Sequence, residues 1–237
     1  MTPDYGLDSP HQVHSYAVRG GLIAAFAVGL WISNGYAATA ISSILIVMGI
    51  GYLAASGVMY WSSRVAKLKA RDRILDSITW RGDEKVLDVG CGRGLFAIGA
   101  AKRLKTGRVT GVDLWRAQDL SGNTAEAARE NAKTEGVADK IKIDTADARK
   151  LPFQGDSFDV VLSSLALHTL ESQLDRAAAL REMCRVLKPG GRLAIFDILH
   201  TNEYAKVVQE IGLADVSVSP MSFLWCAPTR SLTARKP

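Results

Sequence analysis

The apolar and charged positions divide the chain into two parts. No charged residue occurs between Arg19 and Arg64. Within this stretch, Tyr36–Trp61 is continuous, mostly apolar and longer than the ~20 residues a helix needs to cross a bilayer. Val18–Ile32 is apolar but shorter, and Ser33-Asn34-Gly35, a turn signal, separates the two segments. We expect a helical hairpin that crosses the membrane twice, with spans over about 16–33 and 36–61.

The first apolar segment leaves alternatives open. It reaches membrane length only if Tyr16 and Ala17 join it and Arg19 extends its side chain to the head groups. Otherwise it is a re-entrant or interfacial helix before a single span. A cleaved secretory signal is a further interpretation, because Ala38-Thr39-Ala40 is similar to a cleavage site. The apolar run continues well past that point, which argues against secretion.

A basic cluster follows the second span directly. Its members are Arg64, Lys67, Lys69, Arg71 and Arg73. Because the connecting turn carries no charge, the positive-inside rule places the N-terminus and everything after the hairpin in the cytosol. We expect the cluster to contact anionic lipid head groups, at about 1 kcal/mol per residue, or to form the solvated face of a linking helix. Both roles are compatible.

Beyond residue 80, short apolar runs alternate with helical patterns. The predicted strands lie near 85–89, 108–113, 141–145, 158–163 and 191–198, and the predicted helices near 94–104, 123–135 and 172–187. A helix over Ser62–Ile78 precedes them, and Tyr204–Ile211 (helix), Ala214–Ser219 (strand) and Phe223–Ala234 (broken strand) follow. This alternation is typical of a doubly wound α/β domain with a mostly parallel sheet. We therefore expect a membrane anchor over 1–63 and an α/β domain over 64–237.

Composition excludes several classes of function. The net charge is +5, but the excess lies beside the membrane segment and at the C-terminus, without the interleaved aromatic residues of a nucleic-acid surface. Cys91, Cys184 and Cys226 form no C-x-x-C pair, and with four histidines no metal-ligand pattern is present. Reduced cytosolic thiols are the simple interpretation.

The candidate chemistry begins at a glycine-rich turn after the first predicted strand. Gly90, Gly92 and Gly94 follow Asp88 at intervals of two residues. Glycines in such a turn permit φ > 0 and let a ligand lie against the main chain. The dinucleotide pattern G-x-G-x-x-G needs glycine where this chain has Leu95. The turn therefore disfavours a nicotinamide-dependent reductase.

The segment Asp88-x-Gly90-x-Gly92-x-Gly94 resembles motif I of the class I S-adenosylmethionine-dependent methyltransferases. Further segments resemble later motifs in the right order: Val109–Asp113, Thr145–Ala148 with Leu151-Pro152-Phe153, Phe158–Ser164, and Val186–Leu193. The resemblance covers about Arg71 to Pro237 and is greatest to the small-molecule and ubiquinone/menaquinone-type branch. It implies a Rossmann-like sheet of seven strands, an antiparallel terminal strand pair, and S-adenosyl-L-methionine as cofactor.

The resemblance also implies a cofactor site. Asp113 would bind the ribose hydroxyls, Asp147 the adenine amine, and Asp88 would lie near the methionine ammonium. The full set is Asp88, Gly90, Cys91, Gly92, Gly94, Asp113, Leu114, Asp147, Ala148 and Ser163. Independently of the family, Asp113 follows the glycine turn by about twenty residues, where open α/β sheets place the ribose-binding acid. The alternative for each acid is a solvated strand-end residue or a helix cap.

His168 follows the fourth predicted strand and is the candidate general base, because histidine titrates near pH 6.5. Its alternative role is packing in the loop. Trp115 either covers a ligand or anchors its loop, and Asn123 is expected as a helix N-cap. The predicted function is methyl transfer to a small hydrophobic acceptor: a quinone, a phenolic or prenyl lipid, or a thiol. The alternative is a membrane-anchored module that binds the cofactor without turnover.

Overall fold

The computed structural model describes residues 2–32, 36–116, 120–223 and 227–237. Two long helices come first, α1 (Pro10–Ile32) and α2 (Tyr36–Trp61). The predicted turn at 33–35 lies outside the described residues. The helices cross closely: a Cβ added to Gly49 would lie 3.1 Å from the carbonyl oxygen of Gly20. Both helices are long and apolar enough to cross a bilayer, and most of their surface is exposed.

The predicted helix after the second span is confirmed, with a change of winding. A π-helical turn over Ser62–Ala66 leads from α2 into α3 (Lys67–Asp76), so the chain leaves the hairpin without a break. The expected basic cluster is divided between two environments. Lys67 and Arg71 are buried, whereas Arg64, Lys69 and Arg73 are exposed. The expectation of one solvated face is therefore wrong for Lys67 and Arg71, whose side chains turn inward.

The sheet of the described chain has seven strands in the order β3-β2-β1-β4-β5-β7-β6. The strands are β1 (Lys85–Val89), β2 (Arg108–Asp113), β3 (Ile141–Thr145), β4 (Phe158–Ser164), β5 (Leu187–Asp197), β6 (Ala214–Val218) and β7 (Arg230–Arg235). The first five are parallel, while β7 runs antiparallel to both β5 and β6. The predicted doubly wound, mostly parallel α/β class and the antiparallel terminal pair are confirmed.

Helices cover both faces of this sheet. They are α4 (Leu95–Ala101), α5 (Ala125–Thr134), α6 (Gln173–Val186) and α7 (Thr201–Glu210). Alternate strand residues supply two cores, as the period of two in a strand requires. Val86 and Val160 belong to the core under α3 and α4, while Leu87 and Val161 belong to the core under α6 and α7.

Two predicted boundaries change, those of β5 and β7. β5 begins four residues before the predicted start, since Gly190 donates its N–H to the carbonyl of Lys236 at 2.8 Å. β7 occupies only Arg230–Arg235, so the predicted broken strand from Phe223 is wrong in its first half. In the described part of that half, a single bridge joins Ser222 and Thr229. Cys226, expected in a strand, lies outside the described residues.

Candidate functional site

A cavity that opens to solvent lies beyond the carboxyl ends of β1, β2 and β4. This is the edge where the strand order reverses between β1 and β4, and where open α/β sheets bind their ligands. Most of the predicted cofactor residues line it. They are Asp88, Gly90, Cys91, Gly92, Asp113, Leu114, Asp147 and Ala148. Gly94 and Ser163 lie behind the wall, and Ser164 lines the cavity where Ser163 was expected.

The glycine loop packs too tightly for side chains. Gly90 has φ of +72°, and a Cβ there would lie 2.2 Å from the Cβ of Ala166. Its N–H and that of Cys91 both donate to the carbonyl of Val112, which fixes the loop against β2. Cys91 is buried, and burial raises the pKa of its thiol well above the ordinary value. A neutral, space-filling role follows for Cys91.

Asp88 lies at the floor of the cavity, and no cationic side chain of the described residues pairs with it. Its side chain is buried, and neither carboxylate oxygen makes a hydrogen bond of normal geometry to any residue that the structure describes. Burial raises the pKa of this carboxyl to about 7, the Ala97 N–H opposes that rise in part, and the nearby Asp113 adds to it. A buried carboxylate without partners is costly unless a cation or donors from a ligand complete it.

Asp113 ends β2 and is already engaged by the loops on either side. The Gly92 N–H donates to Oδ2 at 2.8 Å, and the Trp115 N–H donates to Oδ1 at 2.7 Å. These bonds tie the glycine loop to the loop after β2 through one carboxylate. Because each carboxylate oxygen accepts more than one hydrogen bond, Asp113 keeps acceptor capacity toward the cavity. A pair of vicinal hydroxyls matches that capacity.

The carboxylate of Asp147 is held by an ion pair with Arg149, which the sequence did not indicate. The guanidinium of Arg149 grips its carboxylate through Nε and Nη2, at 3.0 and 2.7 Å, and also binds Asp175 at 2.9 Å. The hydrogen bonds from Arg149 lower the pKa of Asp147. Asp147 therefore stays ionised, and Arg149 holds it in place at the rim of the cavity.

Asn123 is a residue whose role sequence reasoning misjudged. The N-cap of α5 is Thr124, whose Oγ1 accepts the Ala127 N–H at 3.1 Å. Asn123 is instead buried and lines the cavity, with its Nδ2 3.4 Å from Oδ1 of Asp113. Its Oδ1 has no partner among the described residues. Asn123 thus presents a free acceptor beside the carboxylate of Asp113.

Trp115 anchors the loop after β2. It has φ of +60°, and its indole N–H donates to the hydroxyl of Thr145 at 2.8 Å. The ring packs beside Cys91, Ala128 and Ile143 and does not line the cavity. Of the two roles expected for Trp115, the structure favours the anchor. Asp119 of the same loop lies outside the described residues.

His168 lies in a short 3₁₀ turn between Leu167 and Thr169, both of which line the cavity, although His168 itself does not. Its Nδ1 is 2.5 Å from Oδ1 of Asp197, at the end of β5. The His168 backbone N–H also donates to Asp197, at 3.1 Å. Among the described residues, Nε2 has no hydrogen-bond partner. A proton held on Nδ1 by the carboxylate leaves Nε2 as an acceptor.

Asp197 is the positioning group that the sequence analysis missed. It is fully buried and also accepts the Ile198 N–H at 2.8 Å and the Tyr204 hydroxyl at 3.3 Å. No local motif surrounds it, because its partner is 29 residues away in the chain. His200, the other histidine near this edge, has φ of +60° and lies 3.4 Å from Glu203, away from the cavity lining.

Comparison with known proteins places this site in context. The family model described as a methyltransferase domain matches residues 87–195. The methyltransferase GfsG of Streptomyces halstedii is 40% identical over 147 residues, which are 59% of this chain and 49% of that protein. The ubiquinone/menaquinone biosynthesis C-methyltransferase UbiE of Chromobacterium violaceum is 39% identical over 118 residues, 49% of this chain and 44% of that protein. The chain spans about half the length of these curated relatives.

Among solved structures, a geranyl diphosphate methyltransferase in complex with GPP and sinefungin superposes with a TM-score of 0.60. The match covers 78% of this chain and 83% of that protein, at 16% sequence identity. At that identity the similarity shows the fold alone.

Proposed function

We propose that this chain transfers a methyl group from S-adenosyl-L-methionine to a small hydrophobic acceptor at a membrane. Residues 87–195 match a methyltransferase domain, and the fold is that of the class I, S-adenosylmethionine-dependent enzymes, which supports the proposal. The observation that supports the proposal most strongly is the buried carboxylate of Asp88, which pairs with no cation among the described residues, in a cavity that also holds Asp113 and Asp147. A zwitterionic nucleoside with an ammonium, hydroxyls and an amine suits those acids.

The residues present fit this cofactor. Asp88 would take the ammonium, which supplies the positive charge that the buried carboxylate lacks. Asp113 and Asn123 would accept the ribose hydroxyls, and Asp147 with the backbone of Ala148 would hold the adenine. The cofactor brings an activated methyl group on a sulfonium. The protein then contributes alignment and exclusion of water rather than covalent chemistry.

We propose His168 as the base that takes the acceptor's proton. Its Nδ1 is held by Asp197, so the imidazole has a fixed orientation and an Nε2 able to accept. A thiol, with a pKa near 8.5, or a phenol, with a pKa near 10, benefits from a base that takes its proton. Asp197 acts as a positioning residue, since it reaches the reaction only through His168.

The hydrophobic acceptor is supported by the cavity and by the hairpin together. Apolar side chains also line the cavity, including Leu95, Phe96, Leu165, Leu167 and Leu170. The same cavity is lined by Asp8 and Lys67, which lie just before α1 and just after α2 in the chain. We propose that α1 and α2 both span the bilayer with the enzyme domain on the cytosolic side. An acceptor dissolved in the membrane, such as a quinone, a phenolic or prenyl lipid, or a hydrophobic thiol, would then be presented near the cavity.

The test is turnover on membrane lipids. The full chain in nanodiscs is incubated with S-adenosyl-L-methionine and a total lipid extract, and S-adenosylhomocysteine release is measured. The proposal predicts release that depends on the extract and disappears in Asp113→Ala, with label from the cofactor's methyl group found in the lipid phase. Tight cofactor binding with no release on any extract would instead favour the non-catalytic binding module.

A further inference from the structure

Residues 2–9, which we name the N-terminal strap, lie across the methyltransferase domain before α1 begins. The strap lies outside the matched residues 87–195, yet Tyr5 and Asp8 line the cavity together with the glycine loop. The Tyr5 ring is buried in the same core as Phe96, and its hydroxyl donates to Glu135 at 2.9 Å. The strap therefore forms part of the cavity wall and cannot be removed without opening it.

The strap binds loops on both sides of the cofactor site. The Asp4 N–H donates to Oδ1 of Asn131 in α5 at 2.9 Å, and the Asp4 carboxylate is 3.1 Å from the guanidinium of Arg93 in the glycine loop. The Leu7 N–H donates to Oγ of Ser121 at 2.7 Å. Ser121 belongs to the loop after β2. That loop is where the strap docks.

Gly6 shows how closely the two surfaces approach. It has φ of +75°, and a Cβ there would lie 2.9 Å from both the Leu120 side chain and the Ser121 carbonyl oxygen. Only glycine satisfies that backbone angle and that distance together. The fit is specific to this segment, and a single methyl group at this position would lift the strap.

Lys67 holds the strap from below. This side chain is only 4% exposed, and its ammonium donates to the carbonyls of Tyr5 at 2.9 Å and Gly6 at 2.7 Å, with Asp8 at 3.4 Å. Lys67 is the first residue of α3, directly after the π-helical turn that leaves the hairpin. A buried ammonium that binds two backbone carbonyls fixes a segment firmly, because any displacement leaves the charge without partners.

We propose that the N-terminal strap is a component of the cofactor-binding site and that Lys67 is the positioning residue that keeps it closed over the bound cofactor. This inference rests on the proposed function, since it names the wall of that same site. The strap continues into α1, and Lys67, which holds the strap, follows α2. The two ends of the hairpin therefore close one side of the cofactor cavity. The matched domain alone would leave the cavity open on this side.

The experiment compares Lys67→Met with Lys69→Met in the full chain in detergent micelles. Methionine keeps the apolar stem and removes the ammonium, and Lys69 is an exposed lysine in the same helix. The probe is S-adenosylhomocysteine, titrated by calorimetry, and hydrogen exchange of residues 2–9 is measured in parallel. We expect Lys67→Met to weaken binding about tenfold and to raise exchange in the strap, whereas Lys69→Met changes neither. Lys67→Arg, which keeps donors and charge, restores part of the affinity.

Gly6→Ala provides a second variant, which displaces the strap without altering a charge, should Lys67→Met fold poorly. Increased exchange in the strap with unchanged affinity, in either variant, would overturn the inference. Unchanged exchange in Lys67→Met would equally overturn the role of Lys67. If the wild-type chain fails to bind S-adenosylhomocysteine at all, the proposed function itself is wrong. If the wild type binds and the variants bind equally well, only the inference about the strap is wrong.

Discussion

Replacing Asp88 with Asn should change how stability depends on pH. The ordinary pKa of this carboxyl is 3.8, and in the folded chain burial raises it to about 7. Between these two values the folded state holds a proton that the unfolded state has lost. The free energy of unfolding therefore falls as pH rises through this window and levels off above pH 7.

The magnitude follows from the size of the shift. One pKa unit corresponds to about 1.36 kcal/mol, so between pH 5 and pH 8 Asp88 should lower the stability of the cofactor-free chain by ~3 kcal/mol. For a domain of this size that is a fall in melting temperature of roughly 6–12 °C. In Asp88→Asn this contribution is absent. A buried amide has its own cost, but that cost does not vary with pH.

The assay is thermal unfolding of wild type and Asp88→Asn in detergent at pH 5, 6, 7 and 8, followed by tryptophan fluorescence. Asp139→Asn, in which an exposed carboxyl is neutralised, serves as the control and should follow the wild type. The difference between wild type and Asp88→Asn should grow with pH in favour of the variant. Parallel curves for the two proteins would refute the claim that Asp88 is buried without a partner. Addition of S-adenosyl-L-methionine should flatten the wild-type curve, because its ammonium favours the ionised carboxylate.

The other predictions concern catalysis, packing and the membrane. His168→Ala should lower kcat by a factor of ~10²–10⁴ and leave cofactor affinity unchanged. Asp197→Asn should lower kcat less and alter the pH–rate profile. A loss of cofactor affinity in binding assays as large as the loss of kcat in steady-state assays would contradict these roles. Gly90→Ala should abolish cofactor binding, whereas Gly136→Ala, with a similar φ of +71° but no atom within 4 Å of its Cβ, should cost only about 1 kcal/mol in unfolding experiments. The full chain expressed in bacteria should stay in the membrane pellet after alkaline carbonate extraction, and its release into the supernatant would contradict the two-span proposal.

The parts of the fold that the sequence predicted are those encoded locally. Each of these parts lies in a short segment whose own periodicity and turn residues predict it. They are strand β1, the glycine loop, and the strand ends that carry Asp88, Asp113 and Asp147. Their assembly at one edge of a parallel sheet then follows from topology alone. The antiparallel terminal pair could be expected from the resemblance to the family. The start of β7 at Arg230 could not.

The parts that the sequence did not predict depend on contacts between distant segments. Asp4 contacts Asn131 across 127 residues, and Lys67 contacts Tyr5 across 62, so no local pattern marks the strap as part of the site. Because Lys67 lies in a run of lysines and arginines after an apolar segment, the sequence predicts lipid contact or a solvated face for it, not burial against the strap. Asp197 lies at the end of a strand with no motif around it, and its role follows only from its contact with His168, which is 29 residues away.

The most direct test of the account is a binding titration of the full chain, in detergent micelles, with S-adenosyl-L-methionine. The account predicts saturable binding at one site per chain, lost in Asp113→Ala and retained in Asp139→Asn. Absence of saturable binding by the wild type, or equal affinity in Asp113→Ala, would contradict it.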